Sequence, residues 1–371
     1  MPRYSITPDI ATALMRIEAA RAVVAHTPLP PTIEARLREL ARLRSTHFST
    51  YIEGNRLTLV ETREAVEQRG VTFQGRERDV AEVRNYWQAL LRMEEWAAKA
   101  QPLTEGLIRR LHALVAYGPR AKPTPYRDGQ NAIRDSASGA LVYLPPEAHD
   151  VPMLMAQLVR WVQQAEKIAV PVPLIAALTH YQFVTIHPYY DGNGRTARLL
   201  ASFILQRGGY GLNGFFALEE HHARDLDAYY RALATHPHHN YYLGRAEAEL
   251  TPWVAYFAGL LARVFSLAQD EALAGAREGL PTAPEALRRL DHRARTVLAL
   301  FAQHDEITTA MVVAALGLSP RMVRTLITGW VADDWLQPVT TAKKNRAYQL
   351  TALYRQFVGI LSATDNAAHI G

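Results

Sequence analysis

The segment Ile186 to Leu199, IHPYYDGNGRTARL, is dense in groups that handle phosphate. His187 ends a helical pattern and Pro188 stops it. Asp191 follows, then Gly192-Asn193-Gly194, whose small side chains let successive backbone N–H groups turn toward one anion. The next helix starts there, so its unpaired N–H groups and positive dipole end face the same place. Arg195 and Arg198, three apart in the first turns of that helix, share a face and suit phosphate oxygens by their bidentate geometry. An acid in such a loop makes sense when a hard cation stands between it and the phosphate, and Mg²⁺ binds through one carboxylate plus substrate oxygens. His187, with an ordinary pKa of about 6.5, is the natural general base for a hydroxyl attacking phosphorus. Singly, each of these is ordinary: a structural histidine, a turn, a solvated arginine face. Their concentration between positions 187 and 198 argues for chemistry.

The elements that must hold this segment are mostly helical. Apolar residues recur with a 3.6 period over Ile33 to Thr50, Arg76 to Lys99, Thr104 to Ala113, Val151 to Glu166, Leu174 to Ile186, Arg195 to Gln206 and Thr251 to Gln269. The exception is Tyr126 to Pro146, where turn residues separate two short extended runs and predict a β-hairpin. The expected fold class is mainly α, a helical core with a short hairpin and a separate C-terminal domain. The boundaries expected are a helical region over 1–100, a catalytic core over 101–270, a Gly- and Pro-bearing linker over 271–283, and a last domain over 284–371. That last part reads as helices from His292 and Thr308, a Gly-Leu-Ser turn at 317–319, a helix from Pro320 to Ala332 and a ribbon from Leu336, the pattern of a winged helix-turn-helix.

Bulk composition sets the frame. The 371 residues, 49% hydrophobic and 21% charged, suffice for about two or three domains. No cysteine occurs, which removes disulfides and thiolate metal sites and fits a reducing compartment. The N-terminus lacks an apolar signal region, and the best membrane-span candidate, Trp253 to Ala268, is interrupted by Arg263, so a cytoplasmic chain away from the membrane is expected. The net charge of +5 is mild.

The run from His187 to Arg198 resembles the motif of the Fic family, HPFx(D/E)GNGRxxR, with Tyr189 where that family usually has Phe. A Tyr fits a Phe pocket if its hydroxyl finds a partner or water. The likeness extends from about Tyr51 to Phe257 and includes Tyr126-Arg127 and Tyr143-Leu144-Pro145-Pro146, similar to the family's flap, which holds a protein substrate extended by strand addition over 126–146. Thr251-Pro252-Trp253, at the entry to a helix, also looks like a family feature. The resemblance implies transfer of AMP from ATP to a Ser, Thr or Tyr hydroxyl, with release of pyrophosphate. In that reading His187 takes the hydroxyl proton, Asp191 holds Mg²⁺, Gly192, Asn193, Gly194 and Arg195 cradle the phosphates, and Arg198 takes the γ-phosphate. Val142 and Tyr143 of the flap, with Tyr229 and Tyr230, would contact the nucleotide; helix-face core aromatics are an equal reading of the tyrosine pair. Doc-type relatives, which act as kinases, carry Lys where Gly194 stands, so Gly194 favours AMP transfer. UMP or phosphocholine transfer, and removal of AMP, stay open.

Ser49-Thr50-Tyr51-Ile52-Glu53-Gly54 matches the family's inhibitory pattern, (S/T)xxxE(G/N). Ser49 and Glu53 share a helix face and Gly54 suits the helix end; the resemblance has Glu53 pairing with Arg198 and blocking the γ-phosphate. AutoAMPylation and a homodimer are further expectations from the family. Between 284 and 361, ten Lys and Arg face six acids, with Arg321 and Arg324 on the expected recognition helix and Lys343, Lys344 and Arg346 on the wing. DNA or a protein partner is expected there, and the rival to an enzyme is a DNA-binding regulator whose core senses nucleotide.

Overall fold

The computed structural model describes residues 2–68, 70–134, 138–278, 290–301, 304–339 and 346–355. They divide into two compact units, Met1–Pro28 with Glu34–Ala274, and Leu29–Ile33 with Gly275–Gly371.

The larger unit is helical and centred on α7 (Val172–Ile186), which is apolar on nearly every side and buried on nearly every side. Along it lies α8 (Asn193–Leu205). Helix α4 (Glu77–Ala98) packs on α5 (Glu105–Tyr117) and on α8, and α6 (Val151–Lys167) packs on α7. Thr104 caps α5 by accepting from the Leu107 amide, and Gly118, at φ 88°, ends it. Helix α2 (Pro31–Ile52) buries polar residues beside apolar ones: Ser45, Thr46, Ser49 and Thr50 are inside along with Ala41, Leu43 and Ile52. Such burial calls for polar partners: Thr50 donates to the Thr46 and His47 carbonyls of its own helix, and Ser49 meets the site below.

The sequence pattern locates these helices to within a few residues but does not single out α1 (Pro8–His26), α3 (Leu59–Glu67), α9 (Leu218–Arg224) or α10 (Leu226–Leu233). Helix α3 begins with a capping box, Thr58 and Glu61 satisfying each other's backbone amides. Helix α11 (Thr251–Glu278) runs beyond the expected stop at Gln269, because EALAGARE is rich in good helix formers that outweigh its single Gly. Its Trp253 indole donates to the Ala177 carbonyl at 2.7 Å, tying α11 to α7. By length and composition α11 is the one helix among the described residues able to cross a membrane; 56% of its most apolar window is buried inside the protein, including Trp253, Phe257, Leu261 and Phe265. The hairpin is present as β1 (Ile133–Arg134) against β2 (Leu141–Tyr143), antiparallel with an irregularity after Ile133.

In the smaller unit, α12 (His292–Leu300), α13 (Thr309–Leu316) and α14 (Pro320–Ala332) accompany an antiparallel sheet of β3 (Ile307–Thr308), β4 (Leu336–Pro338) and β5 (Ala347–Leu350), with β5 central, and a last turn of helix, α15 (Ala352–Arg355). Strand β3 was not expected from the sequence: two residues carry no readable period. Val297, Ile307, Val312, Val323, Ile327, Trp330 and Trp335 form its core. Gly317, at φ 64°, makes the turn between α13 and α14. Arg321 and Arg324 are exposed on α14, whereas Lys343 and Lys344 of the expected wing lie outside the described residues; of the linker expected over 271–283, residues 271–278 are instead the end of α11 and 279–283 lie outside the described residues.

Candidate active site

His187 caps α7 in the left-handed region, at φ 51° and ψ 59°. That strained conformation turns the chain abruptly out of the helix and is over-determined by its surroundings. The His187 carbonyl accepts from Arg127 Nε at 3.0 Å, and the Pro188 carbonyl accepts from the Arg127 amide at 2.9 Å. Arg127, buried, also donates to the carbonyls of Gly129 and Pro146, so one side chain joins the base of the hairpin to the motif. The His187 ring is fixed by Nδ1, 3.3 Å from the Val184 carbonyl. A carbonyl only accepts, so Nδ1 carries the proton and Nε2 is left with its lone pair. Burial pushes the pKa down to about 4, against the opposing effects of the Val184 bond and the Glu53 carboxylate. The imidazole is therefore neutral at physiological pH, the form a general base needs.

The loop that follows is held from beneath by a residue the sequence did not single out. His112 of α5 stacks on Tyr189 at 3.6 Å and bonds the Asp191 carbonyl through Nε2 at 2.7 Å. Gly192 sits at φ 77°, and a Cβ there would come within 3.2 Å of the same nitrogen, so neither backbone nor space admits a side chain. The side chain of Asn193 is spent on the backbone of Tyr189, accepting from its amide at 3.0 Å and donating to its carbonyl at 2.7 Å. Asn193 thus shapes the loop, and only its amide faces the anion position at the start of α8. The hydroxyl of Tyr189 finds no hydrogen-bond partner among the described residues, although it is buried, and the ring is held by its stacking on His112.

The two motif arginines are buried and held by different acids. Arg195 pairs with Glu82 of α4 and, at 2.9 Å, with Asp191. Glu82 accepts in turn from Asn55 Nδ2 at 2.9 Å, and burial raises its pKa despite the adjacent guanidinium. Arg198 donates to the Ser49 hydroxyl at 2.9 Å, to the Ser49 carbonyl at 2.8 Å and to Glu53 at 2.8 Å. Burial works to lower the Arg198 pKa, and the Glu53 carboxylate, with Tyr229 and Tyr86, more than reverses it. Ser49, one of the polar residues buried on α2, finds its partner here. Gly54, at φ 92°, then turns the chain away immediately after Glu53. Gly194 also bears on this pair: a Cβ built on it would overlap the Glu53 carboxylate and come to 3.2 Å from an Arg198 nitrogen.

Asp191 is the most open of these groups, its side chain 66% exposed, with one oxygen bonded to the Gly192 amide and Arg195 and the other 3.8 Å from Arg78. One accessible carboxylate beside an anion cradle fits Mg²⁺, which takes its remaining oxygens from phosphate and water. The tyrosine pair divides. Tyr229 is core, its hydroxyl 2.9 Å from His180 Nε2 and its ring 4.3 Å from His222, whereas Tyr230 is half exposed. On the hairpin Val142 is exposed, while Tyr143 is buried and donates to the Thr185 carbonyl at 2.8 Å.

Residues 102–205, which carry α5 through α8 and the motif, match the model of the Fic/DOC family. Over 176 residues the chain is 31% identical to sequences named protein adenylyltransferase Fic from Drosophila melanogaster and Drosophila simulans, covering 47% of this chain and 34% of theirs. The chain thus spans about a third of the length of these curated relatives. Among solved structures, a Fic family protein from Desulfovibrio desulfuricans superposes with a TM-score of 0.58 at 26% identity, covering 95% of this chain and 98% of that one. A Fic domain containing signaling protein from Bacteroides thetaiotaomicron shares the fold over 72% of this chain, with a TM-score of 0.58 at 24% identity.

Proposed function

We propose that the chain is a protein adenylyltransferase, moving AMP from ATP to a Ser, Thr or Tyr hydroxyl of a protein and releasing pyrophosphate, and that Glu53 restrains it. The observation that carries the reading is His187, neutral, with Nε2 unprotonated, beside the N-terminus of α8. In this reaction His187 Nε2 takes the proton of the attacking hydroxyl, the oxygen bonds to the α-phosphorus, and the bond to the bridging oxygen breaks as pyrophosphate leaves. The amides of Gly192, Asn193 and Gly194 receive phosphate oxygens at the helix start. Asp191 would hold Mg²⁺, which offsets the charge of the triphosphate. The hairpin, tied to the motif by Arg127, would pair with the substrate segment over 126–146. Arg198 would take the γ-phosphate, and Glu53, bonded to it at 2.8 Å, competes for that place.

The test is incubation of the parent and of Glu53→Gly with Mg²⁺ and ATP, CTP, GTP or UTP labelled at the α-phosphate, followed by intact mass measurement. The gain of one AMP by the protein, strongly increased in Glu53→Gly and lost when His187→Ala is added, is expected. Labelling that survives His187→Ala at the parent rate refutes the role of that residue, and no increase in Glu53→Gly with a competent substrate refutes the restraint.

For the smaller unit we propose a winged helix. Two helices, α13 and α14, joined at Gly317, are followed by the β4–β5 pair, and Arg321 and Arg324 stand exposed on α14. DNA is the partner these charges favour. A mobility shift with the full chain should weaken steeply with salt and with Arg321→Ala/Arg324→Ala; an unaltered shift in that variant turns the surface over to a protein partner.

A further inference from the structure

On α6 and α7, away from the motif, the larger unit carries a cavity of about 690 Å³ that holds no residue of 187–198 or of 49–54. That volume lies in the range of small-molecule sites, about 300–1,000 Å³. The N-terminal segment lies across one side of it, the Leu250 amide donating to the Arg3 carbonyl at 2.7 Å. Arg245 forms part of the wall and is 92% buried, at 8% exposure. Its guanidinium donates to the Leu233 carbonyl and lies 5.0 Å from the Tyr143 ring and 5.5 Å from the Tyr181 ring. Its Nε is buried without a partner, and among the described residues no carboxylate pairs with it. A buried cation is normally matched by an anion, and aromatic faces supply only part of that compensation. The remaining walls mix the rings of Trp161, Tyr181 and Tyr241, which suit a flat body, with the side-chain amides of Gln157, Gln164 and Gln182, while Arg3 and Arg160, both exposed, give the rim a positive potential against the single acid of the lining, Glu247.

We propose that this cavity is a binding site for a small aromatic carboxylate whose anionic end meets Arg245. The site is separate from the AMP-transfer reading and stands or falls independently of it.

The test uses the full chain and isothermal titration with indole-3-acetate and its uncharged isostere indole-3-acetamide, each with and without excess ATP and Mg²⁺. The acid is expected to bind at least about tenfold more tightly than the amide, the preference expected of a charge-assisted contact. ATP should not displace it. Arg245→Met keeps the aliphatic bulk and should remove the preference. Ala246→Trp, placed on an exposed wall residue, should block both ligands in a chain that still folds, so the proposal remains testable if Arg245→Met does not fold. Equal binding of acid and amide, no binding of the acid at roughly 1 mM, displacement by ATP, or binding that survives Ala246→Trp would each overturn it.

Discussion

On the proposed function, replacing Glu53 by Ala should tighten ATP binding while loosening the unliganded protein. Glu53 makes one charge-assisted hydrogen bond to Arg198, and Arg198 keeps its two bonds to Ser49 when that carboxylate is gone. The guanidinium is therefore not orphaned, and the change removes one bond to a charged group, worth about 1.5–3 kcal/mol. The Glu53 side chain is 27% exposed, so solvent screening places the loss near the lower end of that range. At about 1.4 kcal/mol per power of ten, this corresponds to roughly a tenfold fall in the ATP dissociation constant, since ATP no longer has to displace the carboxylate. The same loss lowers the melting temperature of the unliganded chain by a few degrees, and saturating ATP should recover it. Thermal melts across an ATP series with Mg²⁺, on parent, Glu53→Ala, Arg198→Met and the double variant, measure both quantities. The reasoning fails if Glu53→Ala leaves ATP affinity unchanged, or if its gain persists in the Arg198→Met background, where the pair no longer exists.

Other consequences follow from single contacts. Gly194→Ala places a Cβ where the Glu53 carboxylate sits, so it should release Glu53 and raise AMP transfer in the parent, yet have no activating effect in Glu53→Ala; activation of equal size in both backgrounds is the contrary result. Because burial holds His187 at about 4 and removal of Glu53 takes away one group that raises it, AMP transfer by Glu53→Ala should, on the proposed function, be level in its dependence on His187 from about pH 5.5 upward and fall only at pH 4 or below, where the base is protonated. An acid limb centred near 6.5 would contradict that environment. Tyr189→Phe removes a buried hydroxyl that has no partner among the described residues, so the melting temperature should stay level or rise, by about 1 kcal/mol of stability at most; a clear fall would mean that the hydroxyl is satisfied after all.

The parts of the site that could be read in the sequence are those whose chemistry is contiguous. His187 to Arg198 is one loop and one helix start, so spacing alone brings its groups together, and Ser49 lies in the last turn of α2 with Glu53 just past its end, four residues on. Their supports were not legible, because each depends on a distant element. His112 looks in sequence like one more residue on a buried face of α5, between Leu111 and Ala113, and only the packing of α5 beneath the loop gives it the Asp191 carbonyl. Glu82 is one acid among several on α4, distinguished solely by facing Arg195. Arg127 was visible beside Tyr126, but its four bonds to backbone exist only once the hairpin folds over the motif.

Those supports also determine which acid is able to move. Both motif arginines are paired with carboxylates within the chain, so on the proposed function a triphosphate competes with a carboxylate there. Glu82 lies in the body of α4, is fixed by Asn55 and is mostly enclosed, its side chain 13% exposed. Glu53 lies one residue past the end of α2 and directly before Gly54, whose φ of 92° marks a point where the backbone already leaves the helix. The backbone of Glu82 is held by the packing of α4 on α5 and α8 and its carboxylate by Asn55 and Arg195, whereas Glu53 sits where the chain leaves α2 and is bonded to Arg198. On the proposed function, Arg195 is thus a fixed part of the cradle, and Arg198 is the position at which nucleotide and the chain's own carboxylate compete.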